Sequence, residues 1–160
     1  MATIARSLLD ASTLCAIASV SGRQAHVNTA YFAWAEDFRL IWLSDPGAKH
    51  SRNLRENGSV AIAVFDSHQT WGRPDRGIQL FGSARELSGK AAEAAEPVYA
   101  ERFSDYRRED NSTYAFYGLR PRSLKLFDEH TLGRGLFVTA RVAADGELAW
   151  QRSEIYRATA

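Results

Sequence analysis

Residues 13–44 read TLCAIASVSGRQAHVNTAYFAWAEDFRLIWLS, and their pattern decides the fold. Residues 13–20 are apolar and β-compatible, and Ser21-Gly22-Arg23 breaks the run as a hairpin turn does. From Ala25 to Trp34 the chain alternates. Ala25, Val27, Thr29, Tyr31 and Ala33 face one way, and His26, Asn28, Ala30, Phe32 and Trp34 the other. Glu36-Asp37 is a second turn, and residues 38–44 form a third strand. Three strands joined by tight turns make an antiparallel meander.

Upstream, Ile4, Leu8 and Leu9 share one side of a short helix over residues 4–10. Downstream, Asp45 reads as an N-cap and Pro46 as the first helical residue, which predicts a helix over residues 46–57 closed near Gly58. Residues 59–65 (SVAIAVF) are apolar on both faces and predict a buried central strand. Residues 66–76 are a loop, and residues 77–87 a further strand in which Gly82 marks a bulge or a close backbone approach. The Ala- and Glu-rich residues 89–103 predict a helix that Pro97 kinks or splits. Strands are expected at residues 123–127 and 136–142, with a turn at Asp145-Gly146 and Leu148-Ala149-Trp150 beyond it. Six or seven strands with few helices between them predict a mostly β (α+β) chain, a barrel or a related fold, in a single domain over residues 1–160.

Composition excludes several classes of function. The 160 residues are 45% hydrophobic and 24% charged, which suits a packed domain and not a disordered segment. Twenty Lys and Arg against nineteen Asp and Glu leave a net charge of +1, so no nucleic-acid partner is expected. No apolar stretch is long enough to cross a membrane as a helix, and the first residues lack a signal-peptide pattern, so the expectation is a cytoplasmic protein without a membrane partner. Cys15, the one cysteine, sits in an apolar run and reads as a small buried hydrophobe. His26, His50, His68 and His130 show no metal-ligand spacing, so no metal is expected. Neither a GxGxxG turn nor a GxSxG elbow is present, and no residue stands out as a general acid or base.

Three features carry more. The run Lys49-His50-Ser51-Arg52 stands at the expected start of a helix, where free N–H groups and basic side chains suit a phosphate. An Asp45 N-cap would oppose that reading, both by satisfying those N–H groups and by repelling an anion. Asn28-Thr29 places polar groups in an apolar and aromatic strand, as a ring-shaped ligand with polar edges requires. Trp71 stands in a loop, where it suits covering a ligand, contacting a second subunit or plugging a barrel end.

The order of these elements, with Leu14-Cys15-Ala16-Ile17-Ala18-Ser19, His26-Val27-Asn28-Thr29-Ala30, Leu43-Ser44, Lys49-His50-Ser51-Arg52-Asn53-Leu54 and Gly77-Ile78-Gln79-Leu80-Phe81-Gly82, resembles the pyridoxamine 5'-phosphate oxidase-like family of FMN-binding split β-barrels. The resemblance implies a six-stranded antiparallel split β-barrel with short flanking helices, working as a homodimer with flavins at the interface. It places the flavin ring on Val27, Asn28, Thr29 and Ala30, phosphate or ribityl contacts on Leu43 and Ser44, and the phosphate on Lys49, His50 and Ser51. It implies an oxidoreductase that passes hydride or electrons to a small organic acceptor. Val27 stands where the biosynthetic oxidases carry arginine, Lys49-His50 where they carry Arg-Lys, and residues 153–160 hold Arg157 but no Arg-x-His word. These departures point away from pyridoxamine phosphate oxidation itself and toward the uncharacterised branch. Relatives of the same fold that use the deazaflavin F420, or that bind flavin or haem without catalysis, are the alternatives.

Overall fold

In a computed structural model, which describes residues 1–156, the chain forms eight strands and three α-helices. The elements run α1 (Ala2–Asp10), β1 (Leu14–Ser21), β2 (Gln24–Trp34), β3 (Leu40–Ser44), α2 (Lys49–Glu56), β4 (Ser59–Phe65), β5 (Arg76–Glu86), α3 (Lys90–Arg102), β6 (Ala115–Asp128), β7 (Leu136–Val142) and β8 (Leu148–Ile155). A short 3-10 turn at Glu109–Asn111 precedes β6.

All strand pairs are antiparallel, in the order β3-β2-β1-β4-β5-β6-β7-β8. A further pairing of β3 with β6 closes the first six of these into a ring, and β7 and β8 extend the sheet beyond it. The fold is therefore the expected six-stranded split barrel. Closure removes most exposed strand edges. The inward face of the ring holds the main core, with Ile17, Phe32, Trp42, Ile62, Leu80, Tyr117 and Leu124 among its fully buried side chains. Burying side chains of this size stabilises the fold by roughly 1.5–3 kcal/mol each before conformational entropy is counted.

The meander, β4 and β7 match the sequence pattern, and four local expectations are corrected. Asp45-Pro46 does not begin a helix. The Asp45 carboxylate accepts a hydrogen bond from the Gly47 N–H at 2.7 Å, a local turn, and α2 starts at Lys49 behind Ala48. Pro97 does not split α3, which runs through it as one element. Strand β6 is much longer than residues 123–127, and Pro121 lies inside it. Gly82 pairs with Pro121 while Phe81 pairs with Ser123, so Arg122 is the extra residue of a bulge that tolerates the proline. The expected close approach at Gly82 is there as well: a Cβ at this position would lie 2.1 Å from the Arg120 carbonyl oxygen. Finally, Trp71 plugs no barrel end, because its side chain is 99% exposed.

Helix α2 lies across one end of the ring, packed on β1, β2 and β5. Helix α3 covers the outside of β2, β3 and β6 around Tyr99 and Phe116. Arg102 at its end donates to the Leu9 and Ser12 carbonyls at 2.9 and 2.7 Å, tying α3 to the end of α1.

Candidate functional site

The split in the barrel lies beside β2. This strand pairs with β1 along residues 24–31 but with β3 only from Phe32 to Trp34. Its edge from Gln24 to Tyr31 therefore has no second strand among the described residues. An unpaired edge offers backbone donors and acceptors to whatever lies against it. The four ring-contact candidates occupy this stretch and divide by face. Val27 and Thr29 are exposed on the outside, while Asn28 and Ala30 point inward and are half-buried. The Asn28 side-chain oxygen is buried without a hydrogen-bond partner among the described residues.

Strand β3 ends at Leu43 and Ser44, both half-buried, and leads through the Asp45 turn into α2. With Asp45 turned to Gly47 and Ala48 at the cap, no side chain caps α2. The N–H groups of Lys49, His50 and Ser51 have no acceptor among the described residues. This is the arrangement that receives anions at helix starts.

The three side chains of this helix start diverge. Lys49 is exposed and has no ion-pair partner among the described residues. Ser51 is fully buried and donates to the Asp45 carbonyl at 2.8 Å, which holds the turn against the helix. His50 is only 6% exposed and packs edge-on against Tyr117, with ring centroids 6.3 Å apart. Burial first, and then neighbouring His26, push the His50 imidazole below its ordinary value of 6.5, so the ring is neutral near pH 7. Its Nε2 has no hydrogen-bond partner among the described residues. Arg52 and Arg55 donate to the carbonyls of Gly47 and Pro46 and brace the turn.

Sequence reasoning missed the polar lining behind His50. Tyr117 stacks on Trp42 with centroids 5.8 Å apart, and its hydroxyl donates to Glu86 at 3.1 Å. Burial raises this phenol above its ordinary value of 10.0. Tyr117 and Glu86 come from β6 and β5, thirty or more residues from α2 in sequence, and the pairing of β6 with both β3 and β5 brings them there. Cys15 is inert, as expected: its buried thiol is pushed up to about 12. Among the described residues no cluster of His, Cys, Asp or Glu fits a metal ion. No helix there is long and apolar enough to cross a membrane.

A family model described as pyridoxamine 5'-phosphate oxidase matches residues 2–127. No curated protein matches the chain in sequence. Among solved structures, a putative pyridoxamine 5'-phosphate oxidase from Listeria innocua is 15% identical and aligns with a TM-score of 0.65 over 79% of this chain and 97% of that one. A heme binding protein from Mycobacterium smegmatis aligns at 18% identity and a TM-score of 0.68, over 88% of this chain but only 57% of that one. An FAD-binding protein from Mesorhizobium loti aligns at 19% identity and a TM-score of 0.63, over 78% of this chain and 90% of that one. At these identities the likeness concerns the fold.

Proposed function

The chain belongs to the pyridoxamine 5'-phosphate oxidase family, and we propose that it is an FMN-binding homodimer that passes hydride or electrons to a small organic acceptor. The observation that carries the reading is the uncapped start of α2. Asp45 does not cap the helix: its carboxylate accepts from the Gly47 N–H instead. Three free N–H groups and the Lys49 ammonium then face a phosphate. His50 is neutral near pH 7 and adds no charge, so Lys49 and the helix dipole supply the positive field.

The residues present also suit the ring of a flavin. The unpaired edge of β2 at Val27, Asn28, Thr29 and Ala30 supplies backbone groups for polar ring edges, and the orphaned Asn28 oxygen adds an acceptor. Bound flavin supplies the redox chemistry, while this chain binds it, orients it and limits water around it.

The outer face of β1 and β4 supports the dimer. Ala16, Ala18, Ala61 and Ala63 form a flat patch of small residues, with Val27, Tyr31 and Phe65 exposed around it, at 62%, 56% and 50%. A second sheet can approach such a surface closely and bury its apolar rim. Retention of FMN by the purified chain, compared with F420 and haem, tests the reading.

A further inference from the structure

We propose that the cavity between α3 and the β5–β6 pair binds an anionic amphiphile, a carboxylate or phosphate head on an apolar body, with Arg85 and Arg120 holding the head. The cavity has a volume of about 430 Å³, within the range of small-molecule pockets. None of its lining residues belongs to the candidate flavin site.

Its shape follows from the sheet register. Ser83 pairs with Arg120 and Arg85 with Gly118, so the two arginines stand diagonally on one face of the sheet. Ile41 pairs with Gly118 from the other side. Gly118 has no side chain between Ile41 and Arg85, and Leu87 packs over it as part of the apolar floor: a Cβ there would lie 3.2 Å from the Leu87 side chain. Helix α3 forms the opposite wall with Ala91, Ala94, Ala95 and Val98. Three alanines keep this wall back from the sheet.

The charge on the lining has one sign. Arg39, Arg85 and Arg120 line the cavity and no carboxylate does. Arg39 is paired with Asp37 at 2.6 Å. Arg85 and Arg120 have no ion-pair or hydrogen-bond partner among the described residues. Two uncompensated guanidinium groups at an apolar cavity, in a chain of net charge +1, match a ligand with an acidic end and an apolar body.

Anilinonaphthalene sulfonate, an anionic apolar fluorophore, tests the site on the full chain. The expected result is saturable binding at one site per chain, displaced by decanoate or decyl phosphate and not by decyltrimethylammonium or FMN. Relative preference for decanoate or decyl phosphate identifies the head group. The double substitution Arg85→Gln with Arg120→Gln removes no buried contact and lowers affinity at least tenfold. Ala94→Phe, at an exposed position on α3, fills the cavity and abolishes binding. Unchanged binding in both variants, equal displacement by the cation, or displacement by FMN overturns the proposal.

Discussion

The buried side chain of Asn53 on α2 donates to the Ser19 hydroxyl on β1 at 3.1 Å, which fixes the helix across the end of the barrel. Both groups are almost completely shielded from water. Asn53→Ala leaves Ser19 without its partner in a buried place, at a cost of about 1–3 kcal/mol. Thermal unfolding is expected to show that loss, together with weaker FMN binding, because the same helix carries the phosphate seat. An unchanged melting temperature would count against this role.

Lys49→Ala separates binding from stability. The side chain is exposed and makes no ion pair among the described residues, so the melting temperature is expected to stay constant. Affinity for FMN is expected to fall about tenfold, the scale of one charge-assisted hydrogen bond. Added salt is expected to narrow the gap between native and variant, since the contact is at the surface. Equal affinities by fluorescence titration would remove Lys49 from the site.

His50 makes stability depend on pH with a definite sign. Its folded-state value is lowered by burial and by His26, so the unfolded chain takes up the proton first. Its contribution is complete above the ordinary value of 6.5 and declines as pH falls from there through the lowered folded value. His50→Gln is expected to flatten the fall in melting temperature between about pH 7 and pH 5. A parallel decline in native and variant chains would contradict this.

Ala61→Lys tests the dimer face. Ala61 lies on β4 between Ala18 of β1 and Phe81 of β5, in the middle of the small-residue patch. A lysine here puts like charges opposite each other across a two-fold interface. Sedimentation is expected to give a folded monomer with reduced flavin retention. A native-like dimer would place the interface elsewhere.

The local pattern carried the first half of the barrel. Strict alternation from Ala25 to Trp34 marked β2 and its two faces, without saying which of them is inward, and the continuous apolar run at residues 59–65 marked β4. Long-range contacts were not written in any window. The closure of β3 on β6 joins Leu40 to Leu119. The strand expected at residues 123–127 stops short of Pro121, whose place inside β6 depends on the bulge opposite Gly82. Asp45-Pro46 has the composition of a helix start, yet the competing Asx turn to Gly47 won. For the candidate site, the stretches on β2, β3 and α2 were legible, but not which way each side chain points. Helix α2 has Leu54 as its one large apolar residue, and its buried face is marked only by the absence of charge: His50, Ser51, Asn53 and Leu54 lie inward, while Lys49, Arg52, Arg55 and Glu56 lie outward.

Cofactor retention tests the central claim most directly. The purified full chain is mixed in turn with FMN, F420 and haem, passed through gel filtration, and its near-ultraviolet and visible absorbance recorded. Flavin bands that co-elute with the protein at one FMN per chain, and that are weaker in Lys49→Ala, are the expected result. Retention of F420 or haem alone, or of no cofactor at micromolar concentration, would contradict it.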